Sequence, residues 1–191
     1  TWAARFNATA SLATFIAALA LLAAPRGVDG LLFVDEMNAF LVVLTSFVAC
    51  TTSLFSARYI AHEIEIGKLT ALSQRFYHAM YQALAAAMLT ALLTDNVAIM
   101  WVAIEASTLI TVVMVSIYRT RAAIEAAWKY FILASVGIAL ALFGTILVYL
   151  AAQPVIGEGM EALSWTHLRA AAARLDASVL NLAFVFLLVG Y

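Results

Sequence analysis

Glu105 is the one acid in the run Asn96-Val-Ala-Ile-Met-Trp-Val-Ala-Ile-Glu-Ala-Ser-Thr-Leu-Ile-Thr-Val-Val-Met-Val-Ser-Ile-Tyr118, and it falls near the middle. The run is long enough to cross a bilayer, where an ionised carboxylate costs about 2.5–3.5 kcal/mol on insertion scales. Such a group faces other helices or internal water, and its default chemistry is ion or proton relay. On an ideal helix Glu105 shares a face with Trp101, Thr108, Val112, Ser116 and Arg119, because separations of three, four and eleven residues return to one side. Thr108 and Ser116 are then placed to hold water or to bond across to a neighbour. The competing role for Glu105 is a structural carboxylate satisfied by an adjacent helix.

Lys129 is the second group with chemical potential. It lies four residues after Glu125, a spacing that permits an ion pair on one helix face. The residues beyond it on that face (Ile132, Leu133, Val136, Leu140) are apolar, so snorkelling back to the surface is an equal alternative. His78 follows Arg75 and Tyr77 at the start of another apolar stretch. Proton uptake and a purely structural place are both open to it. Asp95 and Asn96 join two apolar stretches with almost no loop, and either suits a helix N-cap. No HExxH, CxxC or paired-histidine pattern points to a bound metal. The single cysteine, Cys50, excludes an internal disulfide and an all-cysteine iron–sulfur cluster.

The elements that must position these residues are transmembrane helices. The chain has 191 residues, 66% hydrophobic and 11% charged, with a mean hydropathy of +1.02. A soluble domain carries about 25% charged residues. The net charge of −1 gives no argument for nucleic acid, and no glycine-rich phosphate loop follows a strand. Six apolar stretches, at 6–24, 36–57, 76–94, 96–118, 124–152 and 177–191, fit the roughly 17–25 residues that a membrane helix needs. The expected fold is an all-α polytopic helix bundle, one segment of a larger subunit cut at both ends. Pro25 and Pro154 are expected to stop helices rather than kink them. Segment 58–75 mixes charge with Tyr59, Ile60, Ile64 and Ile66, as a loop lying on the interface would. Segment 153–176 is expected to be a loop on the other face, with an amphipathic part and Trp165 at headgroup level. Gly27-Val-Asp-Gly30 reads as a turn. Gly137 and Gly144, on one helix face, permit close helix packing.

Orientation follows from Lys and Arg. Arg5, Arg58, Lys68, Arg75, Arg119 and Arg121 fall on one side, against Arg26, Arg169 and Arg174 on the other. This places Thr1 on the cytoplasmic side.

Three stretches carry a resemblance: Arg75-Phe-Tyr-His-Ala-Met-Tyr81, Thr94-Asp-Asn-Val-Ala-Ile-Met-Trp-Val-Ala-Ile-Glu105, and Glu125-Ala-Ala-Trp-Lys-Tyr-Phe-Ile132. Together they resemble the antiporter-like membrane subunits of respiratory complex I, membrane-bound hydrogenases and Mrp cation/proton antiporters. The wording Ala123-Ile-Glu-Ala-Ala-Trp-Lys-Tyr130 is most similar to the hydrogenase-4 component F branch. The resemblance implies a fold of about fourteen helices, including two inverted five-helix repeats, with no redox cofactor and no catalytic centre of its own. It implies partners among the other membrane subunits of a hydrogenase or NADH dehydrogenase-like complex in a bacterial or archaeal cytoplasmic membrane. It also implies that Glu105 works with a lysine on a broken helix a few residues beyond Tyr191, and that Lys129 matches a basic position on the following helix. The transported ion is then H+, with Na+ as the alternative. A non-conducting scaffold that anchors a redox module is the reading from a different class.

Overall fold

A computed structural model describes residues 2–24 and 26–191, so Thr1, with its expected sidedness, and Pro25 lie outside the described residues. Among these residues there are seven α-helices: α1 (Trp2–Leu21), α2 (Glu36–Glu65), α3 (Ala71–Leu93), α4 (Val97–Val115), α5 (Arg121–Ile156), α6 (Trp165–Ala171) and α7 (Ala177–Gly190). Helices α1, α2, α3 and α5, and α4 with the 3-10 turn that extends it to Tyr118, are long and apolar enough to span a membrane. With no water in hydrocarbon to satisfy the backbone, a helix that closes its own hydrogen bonds is the form these apolar runs take. Large side chains such as Phe55, Leu133 and Phe184 remain exposed on the bundle surface, as expected where the solvent is lipid or further protein. This is an integral membrane helix bundle.

The connections fall on two faces. Links 66–70 and 119–120 lie on the first face, and links 22–35, 94–96 and 157–176 on the second. The second face is stitched together. Strands β1 (Gly27–Asp29) and β2 (Leu32–Val34) form an antiparallel hairpin, paired Gly27 with Val34 and Asp29 with Leu32. Gly30, the first of two loop residues, has φ 62°, the conformation a type II′ hairpin turn takes there. The turn expected at Gly27–Gly30 is therefore the first strand and tip of a hairpin. Leu32 bridges to Thr94, and Asn96 bridges to Ser164, so all three second-face links are joined.

Helix ends explain two departures from the sequence expectation. Segment 58–75 is not one loop. Helix α2 runs on to Glu65 because Ile60 and Glu63 are buried against the bundle, which stabilises two further turns. It ends where the Glu63 carbonyl accepts from Lys68 N (2.9 Å) and Leu69 N (3.2 Å) and Gly67 takes φ 76°. Thr70 then caps α3 by accepting from Ser73 N. Pro154 does not stop α5 either; it lies inside the helix, which continues to Ile156. So close to the end, its missing N–H removes a single ladder bond, which the helix tolerates.

Helices α5 and α7 approach most closely where side chains are absent. A Cβ placed on Gly137 would stand 3.1 Å from the Gly190 carbonyl oxygen, and one on Gly144 would stand 2.7 Å from Leu187 Cγ. Phe143 and Phe186 meet edge to face at 4.7 Å beside this contact.

Candidate functional site

Glu105 stands on α4 with its Oε2 buried and without a hydrogen-bond partner among the described residues. Its depth is set by Trp101, one turn earlier on the same face, whose Nε1 donates to the Ile138 carbonyl of α5 at 2.9 Å. Since α4 and α5 are antiparallel, Glu105 stands level with about Ala134 on α5. The acid thus belongs to the α4–α5 seam, where only apolar and small residues have been supplied.

The hydroxyls expected beside it are turned onto their own helix. Thr108 Oγ1 donates to the Ile104 carbonyl at 3.1 Å, and Ser116 Oγ donates to the Val113 carbonyl at 2.9 Å. Each keeps oxygen lone pairs that can accept from water. Arg119 leaves the expected face altogether: α4 gives way to a 3-10 turn at Ser116–Tyr118, and Arg119 takes φ 52°. The 3.6-residue periodicity that would have brought it round does not extend that far.

Lys129 is not brought to Glu105. It pairs with Glu125 on its own helix, and both side chains are exposed, at 75% and 65%. Nine residues separate Lys129 from Ile138, two and a half helical turns, so it points from the opposite side of α5. It also lies about 7 Å nearer the first face than Glu105, at 1.5 Å per residue.

Asn96 is the N-cap of α4, accepting from Ala98 N and Ile99 N. Asp95 has a different part, which sequence spacing does not show. Its Oδ1 accepts from Thr166 N (3.1 Å) and Thr166 Oγ1 (2.7 Å), and its Oδ2 accepts from Ser164 Oγ (2.5 Å). A buried carboxylate thereby caps α6 from another part of the chain and anchors the head of α4.

A second polar cluster, between α1 and α3, was also not anticipated. Gln82 Nε2 donates to Asn7 Oδ1 (2.7 Å), to Ser11 Oγ (2.8 Å) and to the Asn7 carbonyl (3.1 Å). The available signal was Asn7 and Ser11, four apart in an apolar stretch. His78, one turn before Gln82, is buried, with neither ring nitrogen partnered. No cluster of three or more His, Cys, Asp or Glu side chains suited to a metal occurs among the described residues.

The fold and the buried carboxylate define a polytopic helical membrane protein with an acid held inside its bundle. Residues 94–191 match the family described as NADH:quinone oxidoreductase/Mrp antiporter, transmembrane. The chain belongs to this family of antiporter-like membrane subunits. It is 54% identical over 185 residues to the hydrogenase-4 component F homolog of Methylacidiphilum infernorum (isolate V4), a match over 97% of this chain and 39% of that protein. The fold is also that of a chain in the membrane-bound sulfane sulfur reductase, an archaeal respiratory membrane complex. That match has a TM-score of 0.77 at 16% identity, over 98% of this chain and 38% of the other. The chain therefore spans about two fifths of the length of the relatives it matches.

Proposed function

We propose that this chain is part of a proton-translocating, antiporter-like subunit of a membrane-bound hydrogenase or NADH:quinone oxidoreductase-like complex in a bacterial or archaeal cytoplasmic membrane, its first face toward the cytoplasm. The observation that carries the reading is the buried, unpartnered oxygen of Glu105 on the α4–α5 seam. A carboxylate left unsatisfied at membrane depth is costly unless a proton or a mobile cation completes it.

A second observation supports the arrangement. Gly190 packs against Gly137 and Ala141 of α5, and Trp101 reaches Ile138 on the same stretch of α5. A lysine in the residues following Tyr191 would then enter at about the depth of Glu105. Glu105 is the relay acid. Its proton is released when such a cation approaches and is regained when the cation withdraws, since a positive neighbour favours the ionised carboxylate. Thr108 and Ser116 offer acceptors to water along the same face. Lys129 acts from a distance, its charge shared with Glu125, as a modulating base for proton transfer toward the neighbouring subunits.

The test is proton translocation by the complete subunit in its complex, carrying Glu105→Gln. The relay reading expects translocation to fall at least tenfold while the complex assembles and electron transfer persists. Undiminished translocation per assembled complex would make Glu105 a packing residue of a scaffold. Sodium-dependent transport in vesicles would instead make the subunit a sodium/proton antiporter.

A further inference from the structure

Three buried polar atoms outside the α4–α5 seam have no partner among the described residues: Nδ1 and Nε2 of His78, and Nδ2 of Asn7. His78 is 3% exposed and Asn7 1%. These residues are already enclosed by the described helices. A further helix laid against the outside of the bundle cannot reach the orphaned atoms without displacing what covers them. In a membrane, where no bulk solvent is at hand, an unsatisfied buried donor costs several kcal/mol. The usual remedy is an ordered water with two to four polar partners.

Helix geometry places His78 in the groove between α1 and α2. Tyr81, three residues on, sends its hydroxyl to the Ala49 carbonyl of α2 at 2.7 Å. Gln82, four residues on, reaches Asn7 and Ser11 of α1. A side chain one turn before both lies between those two directions. Across on antiparallel α2, the pairing of Tyr81 with Ala49 brings Ser53 to about the level of His78. Ser53 is fully buried, and its hydroxyl donates to the Cys50 carbonyl at 2.8 Å, leaving lone pairs free to accept. On α1, the buried residues one turn before Asn7 are Ala3 and Ala4, the smallest side chains with a Cβ, so room is left at that level.

We propose that α1, α2 and α3 enclose a water-binding site, with His78, Asn7 and Ser53 as its polar partners, that is separate from the Glu105 seam. A neutral imidazole supplies one donor and one acceptor, Asn7 a donor and Ser53 an acceptor, which is the complement a bridging water chain needs. The existence of the site rests on these atoms alone. Its role, holding water for proton passage in the first-face half of the bundle, rests on the function proposed above.

A cryo-EM map of the intact complex, at a resolution that shows ordered water, is the direct test. Water density within hydrogen-bonding distance of a His78 ring nitrogen and of Asn7 Nδ2 or Ser53 Oγ is the expected result. A dry contact, or a protein atom bonded to both His78 nitrogens, overturns the site. For the role, His78→Phe should lower proton translocation at least fivefold with assembly and electron transfer retained. His78→Gln, which keeps a donor and an acceptor, should restore at least half of it. Full translocation with His78→Phe overturns the role. If Glu105→Gln leaves translocation intact, the relay falls, while the water density still decides the site.

Discussion

Removing the Asp95 carboxylate should loosen the second face without unfolding the bundle. The side chain is 5% exposed and accepts three hydrogen bonds, from Ser164 Oγ, Thr166 Oγ1 and Thr166 N. In Asp95→Ala the two hydroxyls can turn elsewhere, but Thr166 N–H at the start of α6 cannot. Stranding one buried donor costs about 1–3 kcal/mol, and hydrogen bonds to a charged group add about 1.5–3 kcal/mol each before relaxation. The relief of desolvating one carboxylate offsets part of this. A net loss of about 2–4 kcal/mol is expected, concentrated in opening of α6 and its flanks, because the transmembrane contacts of α4 are untouched. At about 1.4 kcal/mol per factor of ten, that raises the opening equilibrium roughly 30- to 900-fold. Asp95→Asn keeps an acceptor for Thr166 and loses the Ser164 bond, so about 1 kcal/mol is expected. Hydrogen exchange of residues 164–168 in the intact protein in lipid nanodiscs measures both variants. Exchange in Asp95→Ala that is unchanged, or no faster than in Asp95→Asn, would refute the account of Asp95 as the tie between α4 and α6.

Further outcomes follow from the packing and from the exposed ion pair. Glycine replacements on the α5–α7 contact should rank by what the new Cβ meets. Gly190→Ala meets the backbone of Ala141 and Gly144→Ala meets chiefly the Leu187 side chain, so Gly190→Ala should cost more and Gly144→Ala about 1–3 kcal/mol. Denaturant titration of the reconstituted protein gives the order, and a larger effect at Gly144 would contradict it. The Glu125–Lys129 pair is exposed on both sides, so Lys129→Ala should change stability by no more than about 0.5 kcal/mol. The same variant should lower proton translocation by the complete subunit severalfold. Full retention would remove Lys129 from the proposed function.

The apolar bundle and the anomalous acid were legible from residue types because they rest on short-range rules. The chemistry between helices was not. Glu125 and Lys129 satisfy the spacing of an ion pair and do form one, yet that spacing is silent on which side of α5 faces Glu105. Arg119 was expected on the Glu105 face because the helix was extrapolated through Ser116, where the chain changes to a 3-10 turn. The extension of α2 to Glu65 was hidden by its charges. Glu63 is buried and held near Lys68 at 3.5 Å, so polarity there does not mark a loop.

By itself the sequence determined the class of protein: helices of about twenty apolar residues, forced by a solvent that cannot hydrogen-bond the backbone, with one carboxylate where hydrocarbon should be. Its local spacing also set the caps at Asn96 and Thr120, because a cap and its N–H donors lie within three residues of each other. Only the tertiary structure decided which polar groups meet. Asp95 finds Ser164 at a separation of 69 residues, and Gln82 finds Asn7 at 75. Helices that are apolar on nearly every side give no pattern from which to read their facing sides, so the neighbours of each buried group emerge from the close packing of α1 with α3 and of α5 with α7. That packing leaves Glu105 and His78 enclosed but incomplete, in two separate places.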